Sequence, residues 1–293
     1  MHLASRLRGK FPRLALTEDF SFARHTTIGC GGSAAAAAMP ACLEEAAQLL
    51  TFLERERIPY CYLGAGANVL PAEGRFEGVV VRFCNMNTLY ADGTSLYAGA
   101  GVTGGRLLAF AAANAIGGFE PLSGIPTSVG GGITMNAGVK ELHFGDVTER
   151  VIAAEKGKIY TLSQSECRFS EKSSLFQQGT AVLGAYFTGK RSDARTIAAR
   201  ACDFRRRRAG LPKGRSMGCA FVNPPDRSAG ELIEKCGLKN TRVGGARVSE
   251  IHANFILNEG GTADDILALA ELVKARVYMQ TGITLREEFR RIP

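Results

Sequence analysis

Hydrophobic positions recur with a helical period over residues 43–57, LEEAAQLLTFLERER, where Leu43, Ala46, Ala47, Leu50 and Leu53 fall on one face. The apolar run Tyr60 to Leu63 follows and breaks into Gly64-Ala-Gly-Ala-Asn68, which predicts helix, short strand and glycine-rich loop. GVVVRF (78–83) and LYAGAG (96–101) read as strands, Gly105 to Ala115 as a small-residue helix stopped by Gly117-Gly118, and 151–187 as β-rich. A helix is expected from Ser192, with Ile197, Ala201 and Phe204 inward and arginines at its C-terminal end, where cations suit the helix dipole. Ser228-Ala-Gly-Glu231 reads as a capping box opening a short helix that Gly237 closes. Thr262 starts the last helix, with Ile266, Leu267, Ala270, Val273 and Val277 inward, and ITLREEF ends the pattern as a strand. No internal repeat interrupts this order. A composition shift near 188–195 marks the expected domain boundary.

A chain of 293 residues with 45% hydrophobic and 22% charged side chains can bury an ordinary core and accommodates two or three domains. No apolar run approaches the ~18–20 residues of a membrane span. The start, MHLASRLRGKFPRL, lacks the apolar block of a secretory signal. These features predict a cytoplasmic protein without a membrane partner. The eight cysteines are scattered and form no C-x-x-C pair, which argues against a metal site or a disulfide framework. A net charge of +8 calls for an anionic partner, either nucleic acid or a phosphorylated ligand. The cluster Arg205 to Arg208 is read as the solvated end of a helix. No aromatic platform or nucleic-acid motif accompanies it, so no nucleic acid is expected.

Five segments carry chemistry. LGAGANVL (63–70) offers successive backbone N–H groups for an anion, yet it is neither a Rossmann fingerprint nor a P-loop. PLSGIPTSVGGGITMNAG (121–138) is rich in glycine, so its folding is costly in chain entropy. It is expected to turn its donors toward a pyrophosphate, while Leu122, Ile125, Val129, Ile133 and Met135 demand burial. The others are GCAFVNPP (218–225), VGGARVSEIHANFILN (243–258) and LREEFR (285–290).

In this order the segments resemble the UDP-N-acetylenolpyruvoylglucosamine reductase family of bacterial peptidoglycan synthesis. The family patterns H-T-T, L-G-x-G-S-N-L-L, S-G-I-P-G-S-V-G-G-x-x-x-M-N-A-G, C-x-F-x-Y-R-x-S, G-S-x-F-K-N-P, G-x-A-x-V-S-x-x-H-A-N-F and L-x-x-E-V-R meet seven segments here. These are His25-Thr-Thr27, Leu63 to Leu70, Ser123 to Gly138, Cys167 to Ser174, Gly218 to Pro224, Gly245 to Phe255 and Leu285 to Arg290. The match runs over roughly residues 21 to 291, and its compact length is similar to the form without a tyrosine-bearing insertion.

The resemblance implies an α+β fold with a two-domain FAD-binding core of the PCMH type and a C-terminal α+β substrate-binding domain. Its boundaries are expected at 1–80, 81–190 and 191–293. It implies a monomer with FAD and NADPH as cofactors and a UDP-sugar enolpyruvyl ether as substrate. NADPH would reduce the flavin, which would pass hydride to C3 of the enolpyruvyl group. Charge would build at C2 and its carboxylate before C2 is protonated. Carried over residue by residue, the proton donor falls on Cys219 and the charge stabilisers on Lys172 and Glu288. Glu288 could donate only if burial raised its pKa. FAD would be held by Gly64, Gly66, Ala67, Asn68, Ser123, Gly124, Ser128, Gly130, Gly131, Asn136 and Gly138, and substrate by Asn223 and Arg207. His252 is expected to be structural.

Three departures from the family pattern fall at or beside the chemistry. Cys219 replaces serine, a mild change because a thiol of ordinary pKa, about 8.5, is the stronger acid. Glu171-Lys172 replaces Tyr-Arg, exchanging a rigid bidentate fork for a flexible point charge. Val222 replaces the lysine of F-K-N. Two other readings use the same segments: an oxidase or dehydrogenase on this FAD fold, and a non-catalytic paralogue binding flavin or UDP-sugar.

Overall fold

The computed structural model describes residues 3–293. They divide into two compact units, and the division is not the expected one. Unit 1 takes in residues to Glu18, Ala36–Ala65 and Gly78–Ala209, and unit 2 takes in Asp19–Ala35, Gly66–Glu77 and Gly210–Pro293. The break therefore falls after Ala209, not near 190. The helix Ala194–Ala209 stays with the segment before it because it packs on the 3-10 turn Glu120–Leu122 and the helix Gly104–Ala113.

In unit 1 the helix Leu43–Arg55 buries Ala46, Leu49, Leu50 and Leu53. Leu49 and Leu53 pack with Leu7, Ala36, Ala38, Val79 and Val81, while Ala46 and Leu50 meet Met86, Ala154, Ala181 and Leu183. One helix thus serves two clusters, which adds Leu49 to the buried face, while Leu43 and Ala47, expected inward, are only partly buried. A four-stranded sheet lies in the order Ala15–Ser21, Ser33–Met39, Arg75–Val81, Tyr60–Tyr62. The last two strands run parallel.

The β-rich stretch becomes a five-stranded antiparallel sheet in the order Lys158–Ser163, Thr148–Glu155, Ala181–Thr188, Ser95–Gly99, Leu89–Asp92. The unbroken apolar run of its central strand reflects burial on both faces. Leu183 joins the helix 43–55 cluster, while Val182, Ala185 and Phe187 join Leu107, Ala111, Val129 and Ile133. A register shift near Ile152/Ala153 puts Val182 and Ala185, an odd number of residues apart, into one cluster.

In unit 2 a sheet ordered Ser216–Cys219, Phe255–Asn258, Ala246–Val248, Arg242–Val243 packs with the helices Ala229–Lys235 and Ala263–Thr281. The final helix carries a full capping box between Thr262 and Asp265. The box expected at Ser228 is only half made: Ser228 accepts from the Glu231 amide, with no return bond. The C-terminal strand is in fact two. Arg286–Glu287 pairs antiparallel with Phe221–Val222, and Arg290–Ile292 pairs parallel with Val69–Pro71. Asn258 Nδ2 donates to the Ile28 carbonyl at 2.9 Å, and the Ala263 amide donates to Glu73 Oε1 at 2.6 Å. These bonds join the three stretches of unit 2.

Candidate active site

The strand Tyr60–Tyr62 leads into the loop 63–68, of which residues to Ala65 belong to unit 1 and those from Gly66 to unit 2, and the Leu63 amide still bonds to Val81 O. A Cβ on Gly64 would stand 2.8 Å from Ser128 Oγ, so the loop and the start of the helix Val129–Thr134 face each other closely. Among the described residues, the amides of Gly64, Ala65, Gly66, Ala67 and Asn68 donate to no protein acceptor, and neither do those of Gly124 and Ser128. Such donors suit an anion.

Much of segment 121–138 turns inward instead. The Val129 amide bonds to Val102 O, the Gly130 amide to Ala100 O and the Gly132 amide to Ser128 O. A Cβ on Gly132 would stand 2.7 Å from Phe144, and one on Gly130 would stand 3.1 Å from the Ala100 Cβ. Close packing of this short helix accounts for these two glycines. Gly130 therefore has no free amide for a ligand, and the Gly131 amide is already shared with Ser128 Oγ at 3.3 Å.

Asn136 sits at φ +42° and is buried. Its Oδ1 accepts from the Gly145 amide at 2.8 Å, and its Nδ2 donates to Ser170 O at 2.9 Å. Both ends of the amide are engaged by protein. Ser170 and Ser173 close a tight turn around Glu171-Lys172 by reciprocal backbone bonds of 3.0 and 3.2 Å. Lys172 holds φ +53°, and its Nζ reaches Gly138 O at 3.5 Å. Gln177 Nε2 donates to the Lys172 carbonyl at 2.8 Å, and Ser174 Oγ donates to Thr134 O at 2.7 Å. Asn136, Ser174 and Gln177 thus fix the turn that presents Lys172. Asn136 and Ser174 stand at motif positions and Gln177 stands outside them, and the partners of a side-chain amide are set by tertiary contact, not by spacing.

Ser123 is buried beside Gly124, whose carbonyl accepts from Arg208 Nε at 3.1 Å. Arg207 lies exposed on the same helix, paired with Glu141 at 2.9 Å and stacked 4.9 Å over Phe204.

In unit 2 the structure brings the segments that carry Cys219 and Glu288 together. Pairing of Phe221–Val222 with Arg286–Glu287 places the Glu288 amide 2.8 Å from Ala220 O, next to Cys219. Asn68 Nδ2 donates to Glu288 O at 3.1 Å, and the Arg290 amide donates to Asn68 O at 3.0 Å. Asn254, unassigned in the sequence reading, clamps the other side. Its Oδ1 accepts from the Phe221 amide, its Nδ2 donates to Phe221 O and its carbonyl accepts from Ala220 N. Both Cys219 and Glu288 are half-buried.

Gly66 takes φ +69°, and a Cβ there would stand 2.3 Å from His25 O, so only glycine passes this bend. Asn223 Oδ1 accepts from the Ala229 amide at 3.0 Å. It borders a cavity of about 620 Å³ lined also by Asp226, Arg227, Ser228, Glu231 and Lys235. His252 Nδ1 accepts from the Asn254 amide, and burial pulls its pKa down, so it is a neutral strut. His25 is likewise tied to Ser21 O and stacked on Phe20. No cluster of metal-ligating side chains occurs among the described residues, and no helix there is long and apolar enough to cross a membrane.

Comparison with known proteins gives two family matches. Residues 34–162 match the FAD binding domain family, and residues 211–292 match the C-terminal domain of UDP-N-acetylenolpyruvoylglucosamine reductase. The reductase of Geobacter sulfurreducens is 38% identical, covering 98% of this chain and 96% of its own. That of Rickettsia felis is 32% identical over 94% and 95%. The crystal structure of the reductase from Thermus caldophilus superposes with a TM-score of 0.82 at 33% identity, covering 96% of this chain and 99% of that one.

Proposed function

The chain belongs to the UDP-N-acetylenolpyruvoylglucosamine reductase family, and we propose that it reduces the enolpyruvyl group of a UDP-sugar with electrons from NADPH. The observation that carries the reading is the backbone bond of 2.8 Å from the Glu288 amide to the carbonyl of Ala220, the residue after Cys219. This bond brings the segment that carries the thiol beside the segment that carries the carboxyl, which supports the roles that the family resemblance gives to Cys219 and Glu288.

FAD fits the residues present. The unclaimed amides of Gly64, Ala65, Gly124 and Ser128 suit a diphosphate, and Gly64 lets the backbone close on Ser128. Bound there, FAD supplies hydride transfer between NADPH and substrate. The chain's own residues do the rest. Lys172 sets a positive charge where the substrate carboxylate becomes electron-rich, and the turn held by Asn136, Ser174 and Gln177 fixes the backbone from which it reaches. Cys219 gives its thiol proton to C2, and Glu288 holds the neighbouring charge. Asn223, with Arg227 and Lys235 around the same cavity, holds the substrate phosphates. These cations stand in for the lysine missing at Val222. The chain works in the cytoplasm and as a monomer.

The deciding assay follows NADPH oxidation with and without the UDP-sugar enolpyruvyl ether. Purified protein should be yellow, and oxidation should depend on the sugar. Oxidation that proceeds equally without it would support an oxidase reading instead. Lys172→Ala should keep flavin and lose roughly 10²–10³ in turnover. Cys219→Ser should stay within about tenfold of the parent, whereas Cys219→Ala should lose roughly 10²–10⁴. Unchanged turnover in Lys172→Ala removes that residue from the chemistry.

A further inference from the structure

We propose that residues 190–209 form an electrostatic capture surface for multiply anionic, phosphorylated ligands. The inference rests on the activity proposed above and assigns a role to charge that the activity leaves unused. The stretch holds eight cationic and two anionic side chains, a net of +6 out of +8 for the whole chain. Its core is the 16-residue helix Ala194–Ala209, in which only Ile197 is fully buried. Lys190, Arg191, Arg195 and Arg200 are exposed, and no ion pair occupies them among the described residues. Concentrated like charge destabilises a compact state and adds little through exposed pairs, so stability does not explain it.

The helix delivers this charge to one place. At its C-terminal end, Arg208 Nε bonds to Gly124 O at 3.1 Å. Arg208 Cδ and Arg205 Cγ lie 3.2 and 3.8 Å from where a Gly124 Cβ would stand. Gly124 belongs to the loop whose free amides suit a diphosphate. Every small molecule of the proposed reaction carries a diphosphate, and the substrate adds a carboxylate. A positive field beside a binding loop raises association rates of such ligands, by 10- to 10³-fold in strong cases. Its reach grows from ~8 Å at physiological salt to ~30 Å at 0.01 M.

A macromolecular polyanion fits this surface less well. Apart from cysteine and threonine, the exposed uncharged side chains of the helix are Ala194, Ala198, Ala199 and Ala209. None can stack on a base or enter a bilayer.

The test removes four cations that touch no proposed ligand site: Arg191→Gln, Arg195→Gln, Arg200→Gln and Arg206→Gln together. The second-order rate constant for flavin reduction by NADPH, read by stopped flow at about 10 mM ionic strength, should fall roughly 3- to 10-fold. Turnover at saturation should not change, and the difference should vanish at high salt. A control with Lys10, Arg13, Lys156 and Lys158 changed to Gln removes the same charge elsewhere in unit 1 and should leave the rate constant near the parent's. An equal fall in both variants, or none in the first, overturns the proposal. Failure of the parent to oxidise NADPH would instead strike the activity. The capture surface is then read without turnover, from the association rate of a fluorescent uridine diphosphate in the same variants. Equal rates there overturn it independently.

Discussion

Single side chains separate into those whose chemistry was visible in their motif and those whose role is set by their neighbours. Cysteine shows the difference. Burial pushes the Cys30 and Cys167 thiols up to about 11 and Cys61 to about 12, whereas Cys42, Cys84 and Cys202 are exposed. The thiolate is the reactive form, so at pH 8 an alkylating agent should label the exposed three and spare Cys61 in the folded protein. Mass spectrometry of the native and unfolded chains checks this, and rapid native labelling of Cys61 would contradict its burial. Cys219 and Glu288 could be picked out because each stands inside a dense motif. Asn254 and Gln177 could not: nothing in local spacing shows that Asn254 bridges to the Phe221 backbone or that Gln177 holds the Lys172 carbonyl. A side-chain amide declares two donors and one acceptor, and the fold alone chooses their partners.

At the scale of elements, the physics of the glycine-rich segment is mixed. The sequence reading turned its donors toward a ligand, and the fold uses several of them to hold a short helix tightly against the protein. Gly132→Ala would drive a methyl group against the fully buried Phe144. Overpacking of that kind costs ~1–3 kcal/mol, more than the gain of up to ~1 kcal/mol in helix propensity. Gly105→Ala, in the helix Gly104–Ala113, has nothing within 4 Å of the new Cβ and should instead stabilise by up to ~1 kcal/mol. Urea unfolding of the two variants should therefore give opposite signs, and a shared sign would refute the packing argument.

The paired strands near residues 242–258 carry an acid-sensitive clasp. Arg247 and then Arg242 hold the Glu259 carboxyl down to about 2 from its ordinary 4.5. A depressed carboxylate contributes stability that is complete above 4.5 and disappears as pH falls through about 2. Glu259→Gln should flatten the pH dependence of stability in that window and leave neutral behaviour little altered.

The whole molecule is where the linear pattern was least informative. Composition and periodicity favoured boundaries that cut the chain once at each domain, because a shift in character along the sequence is all such a reading can register. Unit 2 is instead assembled from Asp19–Ala35, Gly66–Glu77 and Gly210–Pro293. Its closing contacts cross these stretches: Arg290–Ile292 pairs with Val69–Pro71, Asn258 holds Ile28 and Glu73 caps the last helix. Ile28, Cys30 and Leu70 also lie in the same core cluster as Phe221, Ile266 and Val273. A fragment of residues 210–293 therefore keeps its helices' sequences but loses a strand partner, a helix cap and three core side chains. Each loss leaves either an unsatisfied backbone group or exposed apolar surface, and a domain this small has little stability to spare. Such a fragment should show no cooperative unfolding transition in urea, while the full chain unfolds cooperatively. Cooperative folding of 210–293 alone would mean that the early segments decorate this unit and do not build it.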